Sequence, residues 1–449
     1  MNQSSLTGET LPVHKRENDE VFAGTTVTEG TVIISVQKLH SETRISQIVK
    51  TIEESESLKA GIQNHAERLS DRLVPYSFLM SGLTWLVTGN PRKAASTLLV
   101  DYSCSLKLAT PLTIMSAMIS ASRNGVLIKG GKYIEALSKA DTYVLDKTGT
   151  LTEARPEILD VIPFNRLKRD FLLKSAAGVE ERFTHPVASA VVDKAKQEGL
   201  EFSCSYTDAE YIVAHGVKST VEGNSFLVGS RHFLEDDNAI DFTPYSDTIR
   251  DLQDKGLSSL YIAFKSELAG VITFTDPIRN DAKDFISGSK QLGVKKHIML
   301  TGDQLNSAAR VAENLMIEQF RAEVFPEEKA EIVSELQSQG SVVAMIGDGM
   351  NDSPALALAD IGISLKQGAD IAKETCNILL LNSDLQSINH TKVLSKKAIT
   401  RIQTNFYCII GINSVLIGLG LIGKIQPAVS AFLHNASTIA VSLNALRRI

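Results

Sequence analysis

Three short polar signatures follow apolar runs in this chain: Asp146-Lys147-Thr148-Gly149-Thr150, Thr301-Gly302-Asp303 and Gly347-Asp348-Gly349-Met350-Asn351-Asp352. A carboxylate at a strand end, followed by a tight Thr-Gly-Thr turn, can attack a phosphoryl group and form an aspartyl-phosphate, which makes Asp146 the candidate nucleophile. Two anions repel, so the attack needs a cation between Asp146 and the phosphate. Asp348 is a second carboxylate placed to hold Mg²⁺. Transferring phosphoryl oxygens also need fixed donors, which the Thr301 hydroxyl, backbone amides and Lys329 (in Pro326-Glu327-Glu328-Lys329) can supply. Thr301-Gly302-Asp303 alone reads equally well as a solvated turn; DKTGT with GDGMND downstream is far more specific.

Those side chains need a scaffold. Between Asn124 and Asp384, short β-type runs (Tyr143-Val144-Leu145, Val271-Ile272-Thr273-Phe274, His297-Ile298-Met299-Leu300, Val342-Val343-Ala344-Met345-Ile346) alternate with helical patterns. Alternation of this kind reads as a parallel α/β sheet, in which ligands sit beyond the carboxyl ends of the strands. Three of the runs end in the polar signatures, so the chemistry is expected at one strand edge.

At 449 residues the chain has room for roughly three domains. Its 46 Lys and Arg against 52 Asp and Glu give a net charge of −6, which offers no global basic surface, and no nucleic-acid partner is expected. Cys104, Cys204, Cys376 and Cys408 lie far apart, arguing against a disulfide framework or zinc knuckle and for a reduced, cytosol-facing compartment. A mean hydropathy of +0.01 conceals segregation. Ile402 to Gly423 and Ile425 to Leu446 carry no charge and are separated by a breaker-rich turn, Gly423-Lys424-Ile425-Gln426-Pro427. Upstream, Leu73 to Pro91 is charge-free, and Ala94 to Arg123 is largely apolar but contains Asp101 and Lys107. Each run can span a bilayer as a helix, with buried core helices as the alternative; charges at membrane depth are costly and usually functional. Arg68, Arg72, Arg447 and Arg448 place the long polar stretch in the cytosol, opposed by Arg92 and Lys93 in the outer turn. Met1 to Glu20 has no apolar core of a signal peptide. The expected location is a multi-pass position in a bacterial plasma membrane with the catalytic domains cytosolic.

The motifs DKTGTLT, TGD and GDGMNDSPALA resemble the P-type ATPases, cation pumps whose phosphorylation domain has the haloacid-dehalogenase-like fold, and the resemblance covers essentially the whole chain. It implies an α/β protein with membrane helices: a phosphorylation domain over 124–152 and 269–395, an inserted α+β nucleotide-binding domain over 153–268, transmembrane hairpins over 67–123 and 396–449 (four helices), and a partial actuator β domain over 1–66. ATP and Mg²⁺ are the implied cofactors. Lys147, Thr148 and Gly302 are then expected at the nucleotide phosphates, Thr148 with Asp146 and Asp348 at Mg²⁺, and Asp303, Asn351 and Asp352 in the catalytic set. Ser5-Leu6-Thr7-Gly8-Glu9-Thr10 resembles the actuator loop whose glutamate positions water to hydrolyse the aspartyl-phosphate, a role that maps to Glu9. Glu180-Glu181-Arg182-Phe183-Thr184-His185-Pro186 resembles the nucleotide domain of the heavy-metal-transporting (P1B) pumps, where glutamate and histidine contact adenine, assigning Glu180 and His185. The family's Gly-x-Gly corresponds to Ala214-His215-Gly216, so Gly216 remains and the first glycine is missing, implying weaker ATP affinity. Asp276-Pro277-Ile278-Arg279 matches the hinge to the phosphorylation domain and Val228-Gly229-Ser230 a nucleotide-domain turn.

In those pumps a Cys-Pro-Cys precedes Leu-Ala-Thr-Pro. Here Leu108-Ala109-Thr110-Pro111 follows Tyr102-Ser103-Cys104, which keeps the second cysteine alone. One thiolate among harder groups suits Zn²⁺, Mn²⁺, Co²⁺ or Cd²⁺ better than Cu⁺. Candidate ion ligands are Cys104, Asp101, Asn413, His434, Asn435 and Ser437, although Asn413 and Ser437 read at least as well as helix-helix hydrogen bonders. Lys107 is expected to neutralise Asp101 as a built-in counter-ion. Because Glu9 lies close to Met1, the chain resembles the C-terminal part of a pump. The primary expectation is ATP-driven export of a divalent metal; the alternative is an uncoupled fragment keeping ATP binding and phosphohydrolase activity. Expected partners are the transported ion, the lipid membrane, and a metal chaperone or an N-terminal part of the pump.

Overall fold

The computed structural model describes residues 27, 61–183, 186–202, 210–212, 216–348, 352–365 and 375–448. Glu9, His185 and Asn351, and most of the expected actuator stretch, lie outside them.

The described chain enters through α1 (Gly61–Thr88), which carries Pro75 inside, then α2 (Pro91–Leu98) and α3 (Ser103–Arg123). Asn90 caps α2, its Oδ1 accepting the Arg92 N–H at 3.0 Å, and Pro91 opens the helix where its missing N–H costs nothing. The Ala94–Arg123 run, expected as one continuous span, is interrupted at residues 99–102. The cause is local: Asp101 Oδ1 accepts the Ser103 N–H at 2.9 Å, a turn bond that competes with helix continuation.

The chain next lays down β1 (Val126–Ile128), α4 (Gly131–Lys139) and β2 (Thr142–Asp146). It then leaves the first sheet to build a second from β3 (Glu157–Pro163), β4 (Glu210–Ile212), β5 (Gly216–Val221), β6 (Asn224–Gly229), β7 (Ser258–Phe264) and β8 (Glu267–Thr275). The order is β3-β8-β7-β6-β5-β4, with every neighbouring pair antiparallel. Helices α5 (Arg169–Glu180) and α6 (Pro186–Gln197) cover one face, packing Leu172, Ala176 and Val191 against Val217, Phe226 and Ile272. Phe164, Phe233, Phe242 and Tyr261 fill the other. Two expectations are corrected here. The Val271–Phe274 run belongs to this antiparallel sheet, not the parallel one, because β8 pairs with β3 and β7. The boundary expected between residues 268 and 269 therefore cuts a strand, and the insert runs to Thr275.

On its return the chain adds α7 (Ala282–Gln291), β9 (Lys296–Leu300), α8 (Leu305–Asn314), β10 (Gln319–Arg321), α9 (Pro326–Ser338), β11 (Val343–Gly347), α10 (Ser353–Leu358), β12 (Ile361–Leu365) and β13 (Ile378–Leu380). The seven-stranded order is β1-β13-β12-β11-β2-β9-β10, parallel except for β1 against β13. Every residue of β2, β11 and β12 is buried, as a parallel sheet with both faces covered requires.

Finally α11 (Gln386–Leu421) runs 36 residues without a break, about 54 Å at the helical rise. Its first turns dock on the sheet domain, where Asn389 Nδ2 donates to the Phe285 carbonyl at 3.0 Å. Its remainder packs with α3 and α12 (Pro427–Leu446). By length and composition, two described stretches, 91–123 and Gln386–Leu421, are long and apolar enough to cross a membrane.

Candidate active site

Strands β11, β2 and β9 are neighbours, in that order, so their carboxyl ends bring Asp348, Asp146 and Thr301 to one edge. The first turn of α9 points Lys329 into the same space; Pro326 starts that helix and Glu328 Oε2 accepts the Phe325 N–H at 2.8 Å. Lys329 Nζ lies 2.5 Å from Asp146 Oδ1 and 2.7 Å from Asp352 Oδ1, with all three side chains buried. Carboxylate oxygens of Asp146, Asp348 and Asp352 lie within 4.8 Å of one another. Gly149 has φ +77°, and a Cβ there would collide with the Asp348 carboxylate, so the turn after Asp146 has room for glycine alone. A Cβ on Gly347 would press on Asp352 Oδ2 at 2.7 Å.

Around this centre, buried Thr301 accepts the Asp303 N–H at 3.1 Å on its Oγ1, and Asp303 forms an ion pair with Lys147. Thr148 and Gly302 are exposed at the rim. Burial, then the neighbouring Asp352 charge, pushes the Asp146 carboxyl well above its usual range, and the same two causes raise Asp348 to about 7. Burial alone would discharge Lys329, but Asp146 and Asp352 overcome it and hold the ammonium charged. Three carboxyl groups around one ammonium present a cluster of hard oxygens, with Asp146 and Asp352 buried and Asp348 half-buried. That donor set suits Mg²⁺ and brings Asp352 into the group expected from Asp146, Thr148 and Asp348.

The two connections to the insert run side by side. Glu153 N–H donates to the Pro277 carbonyl at 3.0 Å and Arg279 N–H to that of Leu151 at 2.9 Å. Asp276 clamps them, accepting from Thr152 Oγ1 at 2.5 Å and from the Arg155 N–H at 3.1 Å. Sequence reasoning singled out Asp276 but passed over Thr152; the signal was the last threonine of DKTGTLT. In the insert, Glu180 ends α5, buried, and burial pushes its carboxyl up to about 7. Gly216 opens β5, on which α5 packs; a Cβ there would overlap the Val228 carbonyl, a reason for glycine that is steric within the sheet.

A second polar cluster forms where the apolar helices meet. At the break before α3, the Asp101 carbonyl accepts from Asn413 Nδ2 at 3.0 Å, and Asn413 Oδ1 lies 3.2 Å from His434 Nδ1. Asn413 and His434 are buried. Cys104 Sγ donates to Asp101 Oδ2 at 3.6 Å from an exposed position, and Ser437 donates to the His434 carbonyl at 2.8 Å. Asn435 faces outward. Lys107 corrects an expectation: its ammonium reaches Asp71 on α1 at 2.6 Å, because the side chain leaves α3 on the face toward α1.

Residues 140–360 match the family model of haloacid dehalogenase-like hydrolases and residues 1–53 that of the P-type ATPase actuator domain. The whole chain aligns with a zinc-exporting P-type ATPase of Mycobacterium marinum at 37% identity over 62% of that protein. It also aligns with a manganese-exporting P-type ATPase of Mycobacterium tuberculosis (35%, over 63% of its length) and a copper-exporting one of Bacillus subtilis (35%, over 57%). The chain thus spans about three fifths of the curated relatives it matches. A crystal structure of a zinc-transporting PIB-type ATPase in its E2.Pi state superposes over all of this chain and 74% of its own, with a TM-score of 0.78 and 30% identity. With all of its length aligned both to these exporters and to a solved PIB-type pump, the chain belongs to the PIB-type branch of the P-type ATPases.

Proposed function

We propose that this chain carries the ATP-hydrolysing, ion-coupled part of an exporter of a divalent transition or heavy metal ion, working through an aspartyl-phosphate at Asp146. The observation that carries this reading is the buried bridge of Lys329 between Asp146 and Asp352, with Asp348 alongside at the strand edge. An Asp146 oxygen attacks the γ-phosphorus of ATP, the bond to the bridging oxygen breaks and ADP departs. Water later attacks the same phosphorus and frees Asp146. Lys329 and the Thr301 hydroxyl face the transferring oxygens, while Lys147 and Asp303 order the rim. Mg²⁺, when bound by Asp146, Asp348 and Asp352 with Thr148 at the rim, supplies charge neutralisation between nucleophile and phosphate. Glu180, Gly216 and His185 serve the adenine end, Asn351 completes the catalytic loop, and Glu9, inside the stretch matched by the actuator model, orients the hydrolytic water.

For the transported ion, Asp101, Asn413 and His434 form the heart of the site, with Cys104 and Ser437 beside them. Asn413 engages His434 Nδ1, which leaves the other ring nitrogen as ligand atom. Oxygen and nitrogen donors with one thiol favour Zn²⁺, Mn²⁺, Co²⁺ or Cd²⁺ over Cu⁺. Four membrane helices, α1, α2 with α3, α11 and α12, hold this site in a plasma membrane, with both sheet domains cytosolic. The test is incubation of membranes with labelled ATP, Mg²⁺ and a panel of those metals. An acid-stable phosphoprotein that is absent in Asp146→Asn is expected; label that persists in the variant overturns the assignment.

A further inference from the structure

A cavity of about 660 Å³ opens where the cytosolic end of the helix pair meets the phosphorylation domain. Lys396, Lys397, Thr400, Arg401 and Thr404 line it from α11, at spacings that form one helix face, and Arg448 lines it from beyond α12. Among the described residues, its lining holds four cations and no carboxylate. Among the described residues none of the four has an ion-pair partner, in a chain whose overall charge is −6. Two are fixed by neutral groups: Lys396 Nζ donates to the Leu292 carbonyl at 2.6 Å, and Arg401 donates to the Arg447 and Arg448 carbonyls. These bonds tie the turn after α7, α11 and the end of α12 together around the cavity without neutralising any charge. The uncharged stretch of α11 starts at Ile402, one residue beyond Arg401, and Leu443 and Leu446 are exposed on the adjoining end of α12. The cations therefore stand at the level where a bilayer's headgroups begin.

We propose that this cavity binds the phosphodiester headgroup of an anionic phospholipid from the cytosolic leaflet. A phosphate there would meet Lys397 and Arg448 as point and fork donors, while its acyl chains run along the apolar flank of α11 and α12. Because Leu292 belongs to the phosphorylation domain, the bound headgroup bridges that domain and the transport helices, so lipid composition bears on how the two are joined. The inference rests on the membrane reading of α11 and α12.

The test is native mass spectrometry of the purified full chain in detergent, titrated with dioleoyl phosphatidylglycerol or dioleoyl phosphatidylcholine. Wild type is expected to retain phosphatidylglycerol preferentially, and K397Q/R448Q to lose about fivefold in affinity per charge removed, roughly 25-fold for the pair, with phosphatidylcholine retention unchanged. K397R is expected to keep the preference, which separates a charge effect from misfolding. Equal retention of both lipids, or an unchanged preference in K397Q/R448Q, overturns the inference alone. Full displacement by millimolar inorganic phosphate overturns the lipid source. Retention of no lipid at all overturns the membrane reading with it.

Discussion

Lys329 donates to both Asp146 and Asp352, and its removal takes a buried counter-charge away from two buried carboxyl groups. Lys329→Met keeps most of the side-chain volume and deletes the charge. Breaking one side of such a buried pair costs about 3–5 kcal/mol, so the urea midpoint of the phosphorylation domain should fall accordingly. Added Mg²⁺ should recover part of the loss; an unchanged midpoint would contradict the bridge. Glu180 makes a pH-dependent prediction. Its folded carboxyl titrates near 7 against an ordinary 4.5, because burial disfavours the charged form. Between those values the folded state keeps a proton that the unfolded chain releases. The stabilisation is complete below pH 4.5 and disappears as pH rises through 7, on the order of 3 kcal/mol in all. Denaturant titrations at pH 5 and pH 8 should show a larger loss in wild type than in Glu180→Gln, which has no proton to lose.

At the scale of elements, a buried lysine adds to the Asn389 bond that docks the long helix α11 on the seven-stranded sheet domain. Lys392 Nζ donates to the carbonyls of Leu137 at 3.0 Å and Ala140 at 2.5 Å, closing the end of α4 immediately before β2, and stands over the Tyr143 ring. A cation at a helix carboxyl end satisfies both the dipole and the orphan carbonyls. Lys392→Met leaves two buried acceptors unpaired, and a loss of about 2–4 kcal/mol is expected. Hydrogen exchange should localise it to the end of α4 and the first turns of α11; uniform protection equal to wild type would show that the joint is dispensable. The break between α2 and α3 is the counterpart among the apolar helices. Asp101 lies in the break after α2, accepts the N–H of Ser103 at the start of α3 on its side chain, and offers its carbonyl to Asn413. A backbone break among packed apolar helices persists where neighbouring polar groups satisfy its orphan groups.

On the scale of the whole molecule, the seven-stranded sheet, the inserted six-stranded sheet and the apolar helices form separate units, the two sheets joined at the Thr152–Asp276 clamp and the first sheet continuing into the helices through α11. Because the acidic cluster exists only in the folded sheet, Mg²⁺ should stabilise the phosphorylation domain by about 2.7 kcal/mol at a hundredfold excess over its Kd. A thermal melt of the full chain with Mg²⁺ or EDTA tests this, and Asp348→Asn should abolish most of the difference. Much of this plan was readable along the chain. The signatures at Asp146, Thr301 and Asp348 and the charge-free runs near the carboxyl end are local patterns, and local patterns decide strand ends, tight turns and apolar helices. Partners were not readable in the same way. The Val271–Phe274 run is equally apolar for either sheet, and only pairing with β3 and β7 assigned it to the insert. Lys107 could have faced Asp101 until the packing of α3 on α1 gave it Asp71. Lys397 and Arg448, 51 residues apart in the chain, meet at one cavity only because α11 and α12 fold back on each other. Sequence by itself determined which polar signatures the chain carries and that they follow apolar strand-like runs; the tertiary structure alone decided where helices break, which sheet a strand joins and which charges share a site, because burial, pairing and electrostatics act through space and take no account of distance along the chain.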